Sequence, residues 1–138
     1  MKKIIHKNDY EIMLYAVELA KKSNMANKHG SVIVDNKGNI ISTGFNKMIY
    51  VPKDKLKIFD KNTRVKISNH AEEIALKKAD PKKLNGAKLY IIRAALGKET
   101  GFCGEAPIFM NSKPCKRCTQ IIESCIKRFG LKVVYYSS

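Results

Sequence analysis

A chain of 138 residues with 44% hydrophobic content is long enough for a single domain, taken as residues 1–138, with a real core. No apolar run approaches the ~20 residues needed to span a bilayer, and Met1-Lys2-Lys3-Ile4-Ile5-His6 lacks a signal-peptide apolar stretch, so a soluble cytoplasmic protein is expected. Lys+Arg number 27 against 12 Asp+Glu, a net charge of +15, which excludes an acidic or neutral surface but leaves two readings open. Such a surface attracts nucleotides or nucleic acid. Only four of the cations are arginine, however, and Lys, Ile and Asn are the residues an AT-rich coding sequence favours.

In chain order, Asn8-Asp9-Tyr10-Glu11 has the form of a capping box, and Ile12, Ala16, Leu19 and Ala20 follow at helical spacing; a helix is expected over about 9–24. Ser31-Val32-Ile33-Val34-Asp35 and Ile40-Ile41-Ser42-Thr43-Gly44-Phe45 flank the turn residues 36–39 and predict an antiparallel hairpin. Residues 47–69 read as a long lysine-rich connection, either a lid beside the substrate or a solvated basic insertion. Ser68 or Asn69 can cap the next helix, with His70, Ala71 and Glu72 in its first turn and Asp80-Pro81 at its end. Leu89–Ala94 is apolar enough for a central strand, residues 97–107 are irregular, and 108–110 form a short strand. Pro114 suits the first position of a helix whose stripe is Cys118, Ile121, Ile122, Cys125, Ile126 and Phe129, stopped by Gly130. A last strand lies within 131–136. The alternation of helices and strands predicts one α/β domain with helices covering a mixed sheet.

Two stretches carry chemistry: His70-Ala71-Glu72 and Pro114-Cys115-Lys116-Arg117-Cys118. Cysteines at i and i+3 of a helix start reach the same point, and a His with two Cys leaves the fourth position of a tetrahedral zinc open for water. Two thiolates balance the cation's charge, and helix N-termini favour them further. Glu72 is not needed as a ligand and is free to move protons. A purely structural zinc would recruit a fourth protein ligand; His6, His29 and Cys103 are the unassigned candidates. His29 reads as a turn or packing residue, and Cys125 as a buried residue of the helical stripe.

The His-x-Glu and Pro-Cys-x-x-Cys pair resembles the cytidine deaminase-like superfamily, nearest its CMP/dCMP-type branch with a histidine ligand. The likeness extends to His29–Val34 and Thr43-Gly44-Phe45-Asn46 as the first two strands, to Ser112 and Lys113 before the Pro-Cys, and to Val134–Ser137 as the strand after the second zinc helix. The resemblance implies a three-layer α/β/α sandwich with a mixed sheet of about four to five strands. It implies one catalytic Zn2+ held by His70, Cys115 and Cys118, with Glu72 catalytic. Asn46, Phe45, Ala71 and Ser112 are implied as substrate contacts, and the backbone at Cys115 as oxyanion donor. Association of identical copies is implied as well.

Three departures from the pattern stand out. The interval between His70 and Cys115 is lengthened by 97–107. The chain stops after the Val133–Tyr136 strand, where many members add a helix and a strand, so an open sheet edge is expected. Asn111-Ser112-Lys113 precedes Pro114 where tRNA-adenosine members usually carry Glu, which turns the expectation away from that substrate. The leading expectation is a hydrolytic deaminase taking a cytosine nucleoside or nucleotide to its uracil form with release of ammonia. Its alternatives are an RNA- or DNA-editing deaminase, and a catalytically inactive, zinc-stabilised nucleic-acid-binding protein.

Overall fold

The computed structural model describes residues 2–3, 10–52, 64–95 and 108–137. Their elements run β1 (Lys2–Lys3), α1 (Tyr10–Ala20), β2 (His29–Val34), β3 (Ile40–Phe45), β4 (Lys47–Pro52), β5 (Arg64–Asn69), α2 (Ala71–Lys78), β6 (Lys88–Ala95), β7 (Ile108–Met110), α3 (Lys116–Phe129) and β8 (Val133–Tyr136). Asn8, His6 and Cys103 lie outside the described residues, and so does the irregular stretch 97–107.

The main sheet has the order β3-β2-β6-β8-β1, with β7 pairing the far part of β6. β2 runs antiparallel to both β3 and β6, while β8 is parallel to β6. β6 is thus central, as its continuous apolar run requires. Its alternate side chains split the core in two. Leu89 and Ile91 join Ile33, Leu76, Leu84, Ile122, Leu131 and Val134 beneath α2 and α3, whereas Tyr90 and Ile92 join Val32, Val34, Met13, Val17 and Leu19 beneath α1. Each fully buried Ile or Leu in these layers is worth roughly 1.5–3 kcal/mol relative to exposure. The architecture is therefore the expected three-layer α/β/α sandwich around a mixed sheet.

Glycines let the helices lie directly on the sheet. A Cβ on Gly30 would sit 2.0 Å from the Ala16 carbonyl oxygen under α1, and one on Gly44 would sit 2.4 Å from the Ala71 carbonyl oxygen under α2. The Ser31 and Ser42 hydroxyls then donate to the carbonyls of Ala71 (2.7 Å) and Ala75 (2.6 Å), fixing α2 against β2 and β3.

Several local expectations are corrected. The first helix stops at Ala20 rather than near 24, because the following residues turn away: the Ser23 hydroxyl accepts from the Met25 N–H at 3.1 Å. The stretch 47–69 is not a simple loop; β4 and β5 pair antiparallel from Lys47↔Asn69 to Pro52↔Arg64. Frequent lysines concealed the β-branched and aromatic runs of 48–51 and 65–67. The edge beyond β8 is covered in part, because β1 pairs with its second half in parallel, Lys2↔Tyr135 and Lys3↔Tyr136. Both site helices start later than read: His70 is the N-cap of α2 in place of Ser68 or Asn69, and Cys115 is the N-cap of α3, so Pro114 precedes that helix. Cys125 is buried in the core, but Ile126 of the expected stripe is exposed. No helix among the described residues is long and apolar enough to cross a membrane.

Candidate active site

The candidate residues gather at one end of the sheet. β2 begins there with His29, β3 leaves it into Asn46, and α2 and α3 both start there. The N-caps are unusual for their type. His70 (φ −83°, ψ 148°) and Cys115 (φ −68°, ψ 170°) have the extended backbone of a cap, yet neither side chain bonds its own helix. Both point instead at a common space. The His70 Nδ1 lies 3.6 Å from the Cys115 Sγ and 3.2 Å from the Cys118 Sγ, and the three donor atoms are within 4.8 Å of one another.

Those separations fit one zinc ion. Zn–N of ~2.0–2.1 Å and Zn–S of ~2.3 Å at a tetrahedral angle place the nitrogen ~3.5 Å from each sulfur, and the observed values bracket this. Burial, and next the nearby Glu72 carboxylate, push the Cys118 thiol far above its ordinary range; a bound cation reverses that balance by displacing the proton. Cys115, Cys118 and Cys125 are all free thiols.

Glu72, one residue into α2, is buried, and its Oε1 lies 4.0 Å from the His70 Nδ1. It faces a cavity of about 240 Å³ lined by Met25, Asn27, His29, Asn46, Ala71, Ser112, Lys113 and the donor residues His70 and Cys115. Asn46 is almost fully spent on the wall of this cavity. Its Oδ1 accepts from the His29 N–H at 2.8 Å, and its amide donates to the Asn27 carbonyl at 2.6 Å and approaches the Met25 sulfur at 3.4 Å. Asn24 holds the same loop from outside, its amide pairing with both the N–H (2.8 Å) and the C=O (3.0 Å) of Met48.

The other expected contacts divide. Ala71 lines the cavity in the first turn of α2, where backbone amides have no intrahelical acceptor. Ser112 lines it too, but its hydroxyl donates to the Ile91 carbonyl at 2.8 Å and is locked to Ser137. That hydroxyl anchors the approach to Cys115 and is not presented to a ligand. Phe45 packs with the α1-side core and is not among the cavity-lining residues, because side chains on a strand alternate and Asn46 takes the inward position.

Met25 and Asn27 escaped the sequence reading, while His29 was read as a turn or packing residue and Lys113 only as part of the Pro-Cys stretch; all four line the cavity. Burial lowers the His29 imidazole below its ordinary pKa, outweighing the opposing Glu72 carboxylate. The signal available for His29 was its place immediately before Gly30 at a strand start, but nothing local distinguishes that from a packing histidine. Asn27 is held by Arg93, whose guanidinium donates to its Oδ1 at 2.7 Å.

An α/β sandwich with a His/Cys/Cys donor set at two helix starts and a buried free carboxylate beside it defines a zinc-dependent hydrolase. Residues 6–136 match the cytidine and deoxycytidylate deaminase zinc-binding region, and the chain belongs to that family, whose enzymes are zinc-dependent aminohydrolases. Among solved structures it is similar to the dCMP deaminase of cyanophage S-TIM5 in its apo form: TM-score 0.59, 23% identity, covering 96% of this chain and 84% of that one. The same enzyme in complex with dCMP and dUMP gives TM-score 0.58, 23% identity, and coverage of 96% and 83%. RibD of Acinetobacter baumannii, form 2, gives TM-score 0.47 and 25% identity over 94% of this chain and 28% of that one. The likeness to the cyanophage enzyme is one of fold. No curated protein matches the sequence.

Proposed function

We propose that the chain hydrolyses the exocyclic amine of a cytosine nucleotide of the dCMP type, consuming water and releasing ammonia and the uracil nucleotide. The observation that carries this reading is the buried Glu72 carboxylate beside a three-donor set, lining a cavity of about 240 Å³. His70, Cys115 and Cys118 would hold zinc, which when bound supplies a Lewis acid that makes water nucleophilic at neutral pH. Glu72 takes the proton from the attacking water. It passes that proton to the ring nitrogen, then takes the second proton from the hydroxyl added to the ring carbon and gives it to the departing amine, so that the C–N bond breaks as the carbonyl forms and neutral ammonia leaves. Backbone N–H groups at Cys115 and Ala71, at two helix starts, offer donors to the developing negative charge. Asn46 fixes the wall against which the base lies. Lys113 on the lining and Arg93 behind Asn27 give the mouth the positive charge that a nucleotide phosphate prefers.

The test is to measure zinc per chain and then ammonia release from dCMP, cytidine, cytosine, guanine, adenosine and single-stranded oligonucleotides. We expect one zinc and turnover of dCMP. Glu72→Ala should retain zinc and fold while losing ~10³-fold or more in turnover; unchanged turnover rejects the assignment of Glu72. Reaction with oligonucleotides alone, weakening steeply with salt, replaces this reading with the editing one. Zinc with oligonucleotide affinity and no turnover replaces it with the binding protein. Light scattering on the same sample reads whether copies associate, as family resemblance leads us to expect.

A further inference from the structure

The metal donors come from two different helices: His70 caps α2, while Cys115 and Cys118 belong to the start of α3. Zinc tolerates donor displacements of only ~0.2 Å, so something must hold these two helix starts in register. Among the described residues, one ion pair joins α2 to α3: the Arg117 Nη2 donates to the Glu73 Oε2. Glu73 has 7% of its side chain exposed against 56% for Arg117, and its other oxygen accepts from Lys77 Nζ at 2.9 Å along α2. Each partner is placed for leverage. Glu73 follows the proton-moving Glu72, and Arg117 lies between the two cysteine donors, so displacement of its backbone moves both sulfurs. The Glu73 carboxylate also neutralises a guanidinium that would otherwise oppose a cation bound nearby.

We infer that Glu73 and Arg117 are a positioning pair that sets the spacing between the His70 donor and the two cysteine donors. The inference rests on the zinc-deaminase reading of the site, but its test does not need turnover. Zinc affinity by competition with a chromophoric chelator, the visible spectrum of the cobalt(II)-substituted protein, and melting temperature are compared for the native chain, Arg117→Gln, Glu73→Gln and Lys77→Ala. Arg117→Gln and Glu73→Gln should each weaken zinc affinity ~10–100-fold and alter the cobalt spectrum. On an active substrate they should lower kcat while KM stays within ~2-fold. Lys77→Ala, which removes only the Glu73 partner on the same helix, should change none of these.

The double replacement Glu73→Arg with Arg117→Glu should recover most of the affinity. Should that protein not fold, Arg117→Lys serves instead, keeping the charge but not the planar fork, and should fall between the native chain and Arg117→Gln. Zinc affinity and cobalt spectrum unchanged in Arg117→Gln, even with a lowered melting temperature, would overturn the inference and leave a merely structural contact. So would an equal loss of affinity in Lys77→Ala. A native chain that binds zinc but deaminates none of the cytosine compounds removes the deaminase reading, while the affinity and cobalt comparisons still decide the pair.

Discussion

At the end of the sheet where β2 turns into β3, polar side chains close their own stretch of backbone; at the opposite end those of His70, Cys115 and Asn46 do not. Asp35 accepts the N–H groups of Lys37 (2.9 Å) and Asn39 (2.8 Å), Asp80 accepts that of Lys82 at the Pro81–Lys83 turn, and Gly130 ends α3 in the left-handed region. At the site end, His70 and Cys115 occupy cap positions without capping. Asn46 bonds across to another segment instead of its own turn. Local satisfaction stabilises a fold, and side chains diverted from it are the ones available for ligand chemistry.

The sharpest way to break this contrast is at Asn46. Asn46→Ala removes the partner of the His29 N–H and of the Asn27 carbonyl in a part-buried wall, at ~0.5–1.5 kcal/mol for each lost hydrogen bond. We expect kcat/KM on the active substrate to fall by roughly 10²-fold, with zinc content unchanged, as read by steady-state kinetics and metal analysis. Gly130→Ala probes the opposite end. Its φ of 76°, and an Asn85 Oδ1 that a Cβ would meet at 2.6 Å, predict a loss of ~1–2 kcal/mol in denaturant unfolding with kcat unaltered. A drop in kcat as large as that of Asn46→Ala would erase the distinction between the two ends.

The smallest effect is expected at Asp35. The backbone N–H of Asn39, and then that of Lys37, hold its carboxyl below the ordinary range. A depressed folded pKa contributes stability that is complete above the unfolded value of ~3.9 and is lost as pH falls through the folded one. Asp35→Ala should therefore lower the melting temperature slightly at pH 7 and not at all at the acid limit, with turnover untouched.

How much of this was legible beforehand differs between particular residues. The β2–β3 hairpin was readable because turn residues 36–39 separate two β-branched runs, a purely local signal. β4 and β5 were not, because their pairing joins residues as far apart as Lys47 and Asn69 across a lysine-rich stretch, and a strand pattern diluted by lysine looks like a loop. Phe45 was read as a contact from its neighbourhood in the motif, but strand alternation sends it to the core.

The sequence by itself determined the chemistry. A histidine and two cysteines at fixed local spacing suit one zinc ion wherever they are brought together, because donor type and charge are properties of the residues. Only the tertiary structure decided what surrounds them. The Met25–His29 wall, the diversion of Ser112 into the Ser137 lock, the cover that β1 gives to the β8 edge, and the tie between Glu73 and Arg117 all join residues far apart in the chain. Contacts of that kind are set by how the helices and strands pack, and no local pattern records them.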